Sequence, residues 1–443
     1  MRKLFSYLIL LFSLPAAAQE PVYTYQQVIA TALKNNFDIR LAQNNAVITG
    51  IQNTAGNAGM LPKLDLNAVG GKSANDIRQN FSSGLSVDQK GVKSSNITSG
   101  AYLSWTVFDG LKMFATKERL NLLEQQGQLS LRLQIENTLE EVTLYYYQVV
   151  KQQQLIKGIL AAMGVSDERI KIAERKLALG SGSNVEVLQA KLDLNAQRSD
   201  LVTQKYLLNE FKNGLLVLIK EEPGSNYRVD SLFAFEPLAS MESIRQRIEQ
   251  SNTSLQIAQK NTLIYEQNTK ELQSQYFPRL GLTSSYLFSR SANAAGFSLF
   301  TQNLGFNYGF TFSWNIFNGL NTRNQVRVAK LQTQNSVFEA ERARYTVFSA
   351  AHSAYVRWLG DSEILEIEEG NILLAEQSLK ITTERLRLGL GNFLETKESQ
   401  SSYEAAITRL VNARYNLKQS EPALRKLTGE LIRENYVIGQ LGN

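Results

Sequence analysis

From Leu304 to Ile316 the chain alternates without a break. Leu304, Phe306, Tyr308, Phe310, Phe312, Trp314 and Ile316 are apolar or aromatic, and Gly305, Asn307, Gly309, Thr311, Ser313 and Asn315 between them are small or polar. A period of two puts each set on its own face of a β-strand. At ~3.3 Å per residue such a strand is about 43 Å long, enough to cross a bilayer at a tilt. Ile97, Ala101, Leu103, Trp105 and Val107 repeat the pattern more weakly, and partner strands follow Pro62 (Leu64, Leu66, Ala68) and Pro278 (Leu280, Leu282, Ser284, Tyr286). The stretches 72–96 and 290–302, rich in Ser, Asn and Gly, read as long hairpin loops. Elsewhere the period changes. Between 110 and about 179 there is no proline, and Leu131, Ile135, Leu139, Val142, Tyr146, Val149, Ile156 and Leu160 recur at spacings of three, four and seven. That is a helix of about 70 residues and ~105 Å, and 319–388 matches it in length. Each ends at a glycine pair, Gly180 with Gly182 and Gly389 with Gly391, after which a second helix returns over about 184–220 and 392–428.

The two halves say the same thing in the same order. Asn36, Ile39, Ala42 and LPKLDL from Leu61 recur as Asn252, Leu255, Ala258 and FPRLGL from Phe277, an offset of 216. SWTVFDGL from Ser104 recurs as SWNIFNGL from Ser313, and LALGSG from Leu177 as LRLGLG from Leu386, both at 209. One seven-residue length difference in a polar stretch accounts for the shift. Two copies are too few for a solenoid, so they are halves of one pseudo-symmetric subunit. The expected organisation is a signal peptide (1–18) and a first repeat (19–220) with a β-hairpin at about 62–108 and a helical hairpin at about 109–220. A linker (221–240) follows, then a second repeat (241–428) with its hairpins at about 278–317 and 318–428, and a tail (429–443).

Arg2 and Lys3, the apolar run from Leu4 to Leu14 and Ala16–Ala18 before Gln19 carry the leader assignment. Past it no apolar run reaches the ~18–20 residues of a membrane helix, so a membrane-spanning part must be a closed β-barrel. Four strands cannot close one; two chains would supply eight and three would supply twelve. The 443 residues hold 47 basic and 41 acidic side chains, a net charge of +6 spread along the chain, which gives no basic stripe for nucleic acid. There is no cysteine and one histidine, His352, read as an ordinary helix residue. No nucleophile–base pair, metal set or phosphate loop stands out, so no catalytic, cofactor-binding or metal residues are assigned.

The duplicated order of helix, proline-led β-hairpin, aromatic–glycine lead into a long helix and glycine-marked tip resembles the TolC-type outer-membrane efflux protein family over essentially the whole chain past the leader. The resemblance implies a mainly α fold with membrane β: a homotrimer in which four strands per chain build a twelve-stranded barrel in outer-membrane lipid, continuous with a long periplasmic α-helical barrel. It implies the exit duct of a tripartite efflux pump, docked on a periplasmic adaptor (membrane fusion) protein fed by an inner-membrane transporter. Service in a type I secretion system is the alternative within the family, and a periplasmic coiled-coil adaptor is the alternative outside it. By the same resemblance, Leu179, Gly180, Ser181, Leu388, Gly389 and Leu390 are the adaptor-docking tips. Glu395 and Glu398 map to the periplasmic constriction, with Glu186 at a partner position. Where the family pattern has an aromatic and an arginine locking the tips, this chain has Leu386 and Gly391.

Trp105 and Trp314, closing the second strand of each copy, are expected as membrane-interface aromatics. Plainer roles stand beside these: glycines that only end helices, glutamates on a solvated face with Lys397 between them, and tryptophans packed on a neighbouring strand.

Overall fold

The computed structural model describes residues 21–235, 237–294 and 298–432. The expected leader (1–18), the end of the expected tail (433–443) and part of the second hairpin loop (295–297) lie outside the described residues. In chain order the elements are β1 (Val22–Tyr23), α1 (Tyr25–Asn35), α2 (Phe37–Gln52), β2 (Lys63–Asn80), β3 (Ser86–Phe108), α3 (Lys112–Ala178), α4 (Asn184–Ile219), β4 (Arg228–Val229), α5 (Met241–Ser251), α6 (Thr253–Gln273), β5 (Arg279–Asn293), β6 (Phe300–Ser313), α7 (Asn321–Arg387) and α8 (Phe393–Thr428). The long helices α3 and α7 both have 67 residues, and the returning helices α4 and α8 both have 36, so the duplication governs length as well as order.

The repeat extends to single hydrogen bonds. Asn36 separates α1 from α2, accepting from the Asp38 and Ile39 amides and donating from Nδ2 to the Leu218 carbonyl at 2.9 Å. Asn252 separates α5 from α6, and its Nδ2 donates to the Leu427 carbonyl at 2.9 Å. Both asparagines are buried, and each partner carbonyl sits in the last turns of its returning helix. A side-chain amide that satisfies a helix-end carbonyl while breaking its own helix fixes a bend in the chain.

Two compact units cut across the repeats. Among the described residues one holds 21–41, 133–252 and 347–432, and the other holds 42–132 and 253–346. In the first, Val28, Ile29, Leu139, Val142, Tyr146, Leu215, Leu216, Ile219 and Tyr227 form the principal core, and β1 pairs parallel with β4. In the second lies a four-stranded antiparallel sheet of order β2-β3-β5-β6, whose outer strands β2 and β6 have no further partner among the described residues.

Two sequence expectations change here. The stretch 72–96 is largely strand, with β2 running to Asn80 and β3 starting at Ser86, leaving only 81–85 as a turn. Ladder hydrogen bonds, the Ser73–Ser94 hydroxyl pair at 2.7 Å and the Arg78–Asp88 ion pair hold this extension. Apolar residues are sparse in it, Ile77, Val87 and Val92 among them, so it carries no sustained alternation. The aromatic strand is also shifted: β6 begins at Phe300 and ends at Ser313, so that Trp314 and Ile316 follow it.

Candidate functional site

At the first tip α3 ends at Ala178 and the chain turns through Gly180, whose φ of +71° is left-handed. The Leu179 amide donates to Arg175, the Gly180 amide to Leu177 and the Ser181 amide to Lys176, at 2.9–3.0 Å, closing the last carbonyls of the helix. At the second tip Gly389 (φ +75°) does the same between α7 and α8. A Cβ at either glycine would meet nothing within 4 Å, so it is the backbone angle that requires glycine. Leu179 is 82% exposed and Leu388 and Leu390 are exposed beside their glycines, so each tip presents apolar side chains next to bare backbone.

Of the three expected constriction residues, Glu186 and Glu395 sit in the first turns of returning helices and Glu398 one turn further along α8. Ser183 caps α4, and Glu186 completes a capping box by accepting from the Ser183 amide at 3.4 Å. Asn392 caps α8 and accepts from the Glu395 amide at 2.7 Å. Glu395 and Glu398, three apart, share one helix face. Glu395 pairs with Arg385 at 3.6 Å in an exposed contact, Glu398 is exposed, and Lys397 between them turns away to Asp193 at 3.6 Å. Glu186 therefore has a local capping task, and Lys397 serves α4.

The expected lock positions hold no lock of the family type: Leu386 is buried, and Gly391 closes the turn by donating to the Arg385 carbonyl at 3.0 Å. A different arginine joins the helices behind the tips. Arg169 of α3 is 1% exposed. It donates to Asp193 of α4 at 2.9 Å and to Gln400 of α8 at 2.5 Å, and its guanidinium lies 4.6 Å from the centre of the Phe393 ring. Gln400 in turn donates to Ser166 at 2.7 Å and to Glu404 at 2.9 Å. Burial raises the Asp193 carboxyl, but the hydrogen bonds of Arg169 and Gln189 and the charges of Arg169 and Lys397 outweigh it, leaving Asp193 below its ordinary value. Arg169 thus ties both hairpins together behind the tips. Sequence reasoning missed it, although Ala162, Ser166, Arg169 and Ala173 keep the helical spacing of a buried face.

In the other unit one face of the sheet is apolar. Cross-strand register aligns Leu64, Leu66 and Ala68 of β2, Ala101, Leu103 and Trp105 of β3, Leu282, Tyr286 and Phe288 of β5, and Leu304 to Phe312 at alternate positions of β6 on one face. On β6 these side chains are 61–83% exposed. Trp105 Nε1 donates to the Met60 carbonyl at 2.9 Å, and Trp314 Nε1 to the Tyr276 carbonyl at 3.1 Å. The two bonds are repeat equivalents, each fixing a half-exposed indole at the helix-connected end of the sheet. Among the described residues no helix is long and apolar enough to cross a membrane, and none form a metal-ligand cluster.

Residues 28–219 and 244–430 match the model of the outer membrane efflux protein family. The chain belongs to the outer membrane efflux protein family. CusC, a cation efflux system protein of Escherichia coli K12, is 23% identical over 417 residues, covering 91% of this chain and 85% of that protein. BepC, an outer membrane efflux protein of Brucella suis, is 23% identical over 347 residues, covering 76% and 73%. In fold, the Campylobacter jejuni CmeC outer membrane channel superposes with a TM-score of 0.78 at 17% identity, covering 94% of this chain and 89% of that one. This outer membrane efflux protein is accordingly a non-enzymatic exit duct of an efflux pump, located in the outer membrane and extending into the periplasm. The family works with an adaptor and an inner-membrane transporter.

Proposed function

We propose that three copies of this outer membrane efflux protein close one twelve-stranded barrel, with β6 of each chain pairing antiparallel with β2 of the next. The observation that carries this is a single-chain sheet with an apolar outer face and two unpaired edges, a combination stable neither in water nor in lipid. Three sheets remove every edge at once. The test is native mass spectrometry of the detergent-extracted protein beside gels run with and without boiling. A trimer that survives detergent until heated is expected, and a detergent-free monomer would overturn the reading.

The tips Leu179, Gly180, Ser181, Leu388, Gly389 and Leu390 then form the periplasmic end of the duct and the docking surface for the adaptor. Bare glycine backbone flanked by exposed leucines lets a partner's helical hairpin approach closely. In a three-fold pore Glu395 and Glu398 repeat as rings of three carboxylates that favour cations, with Glu186 contributing from the neighbouring helix start. Replacing Glu395 and Glu398 together by Gln should lower cation preference in planar-bilayer conductance, and unchanged selectivity would remove both from the constriction.

A further inference from the structure

We infer that the outer face of the sheet carries a site for the phosphate-bearing headgroup of an outer-leaflet glycolipid, built by Lys72, Lys93 and Arg290. The inference rests on the proposed barrel, in which this face meets lipid. Register aligns Gly70, Ile97, Arg290 and Gln302 in one row, and Lys72, Ser95, Ala292 and Phe300 in the next outward. Ala74 and Lys93 follow one row further. All three cations therefore point to the same side as Phe306, Tyr308 and Phe310, from three adjacent strands, in a patch about 13 Å tall.

Their height is what selects the ligand. From the row of Trp105, Leu282 and Phe310 to the row of Lys72 is ten residues along β3, from Trp105 to Ser95. At ~3.3 Å per residue and a strand tilt of ~35–45° this is about 25 Å along the membrane normal, the height of the apolar band of an outer-membrane barrel. The cations stand at its outer edge, where long side chains keep their stems in the apolar layer and their charges among headgroups. Phe300 supports this placement: the Arg290 guanidinium lies 5.1 Å from its ring centre.

From the row of Leu64 and Leu103 to that of Ala74 and Lys93 the charge on this face is of one sign, with no Asp or Glu sharing it. The opposite face differs, with Lys63 and Asp65 paired at 2.9 Å. The nearest carboxylates further out are engaged, Asp76 accepting from the Gly91 amide at 2.8 Å and Asp88 pairing with Arg78 at 2.7 Å. Uncompensated cations bordering an apolar band suit a ligand that is anionic at one end and acyl at the other. A free phosphate uses only the first of these features.

The test measures adducts on the detergent-purified oligomer by native mass spectrometry. The probes are phosphorylated lipid A, the same lipid after dephosphorylation, and inorganic phosphate. Phosphorylated lipid A should bind about tenfold or more tighter than its dephosphorylated form. Combined Lys72→Gln, Lys93→Gln and Arg290→Gln should erase that preference, whereas Lys90→Gln on the same hairpin should leave it unchanged. Equal binding of both lipids, or a triple variant that keeps the preference, would overturn the site. Displacement of the lipid by inorganic phosphate would overturn the lipid assignment. Loss of the heat-modifiable oligomer would instead indict the barrel itself, a failure visible on the gel before any lipid is added.

Discussion

Arg169 carries a full charge at 1% exposure, which a lone arginine in a water-facing helix never has to do. Its partners come from two other helices, Asp193 and Gln400, so its loss unpairs groups on both hairpins at once. Removing one member of a buried pair costs ~3–5 kcal/mol, and partial solvation of Asp193 reduces that here to about 2 kcal/mol. Arg169→Met should therefore speed amide exchange at both tips roughly 30-fold, with no comparable change in the sheet. Arg169→Lys should restore little, because an ammonium cannot serve two acceptors in a fork and face a ring together. Asp193 is held below its ordinary value of 3.8. Its share of the stability is whole above that pH and drains away as pH falls below it, because protonation removes the charge that Arg169 and Lys397 face. Exchange at the tips should accelerate on acidification in the wild type, and Asp193→Asn should be fast at neutral pH and flatten that dependence. The network is absent from the duplication: positions 209 residues on from Arg169 and Asp193 are Ser378 and Ser402, and the counterpart of Gln400 is Lys191. Repeat logic therefore gave no hint of it.

At the scale of elements, equivalent joints differ in how tightly they are held. Gly110 and Gly319 open the two long helices with φ of +73° and +68°, each followed by a leucine that is also left-handed, Leu111 and Leu320. A Cβ at Gly110 would collide with the Ser274 carbonyl oxygen and lie 2.9 Å from Phe277 Cβ, whereas at Gly319 the nearest such atom is Asn321 Nδ2 at 4.0 Å. Both alanine variants incur the backbone penalty of about 1 kcal/mol. Gly110→Ala adds a clash with backbone that cannot swing aside, so it should lower the temperature at which the oligomer dissociates on gels by clearly more than Gly319→Ala. Equal effects would mean that backbone angle alone decides both sites. The elements themselves were legible where one face is apolar and the other wet, as in α3 and the stretch of β6 from Leu304 to Ser313, and α7 followed from its matching length. The outer parts of β2 and β3 were not, because few apolar residues alternate along them, and the ladder with the Ser73–Ser94 and Arg78–Asp88 contacts orders them instead. Asn36 and Asn252 were visible as repeat markers, yet their task, closing a carbonyl of a helix some 180 residues away, belongs to packing.

For the whole molecule the decisive question is how the two open edges meet. Adjacent strands in the sheet alternate in direction, so β6 of one chain and β2 of the next are antiparallel, and facing residues in an antiparallel pair share a side. Ala68 of β2 shares the apolar face with Leu304, Phe306 and Tyr308 of β6, whereas Gly305, Asn307 and Gly309 look the other way. The chain has no cysteine, so introduced thiols report without background. With Ala68→Cys fixed and a second cysteine stepped along β6, oxidation should link chains into boiling-resistant dimers and trimers at one or two of the apolar-face positions. The positions between them should stay unlinked, because a disulfide needs Cβ atoms about 3.5–4.5 Å apart and a one-residue step sends the side chain through the sheet. Cross-links of both parities would mean a mobile edge rather than a closed barrel. Cross-links at none would mean that some other element covers β2 and β6. A single parity, with trimers as the largest species, would fix the register between chains and set Lys72, Lys93 and Arg290 on the lipid side of every subunit.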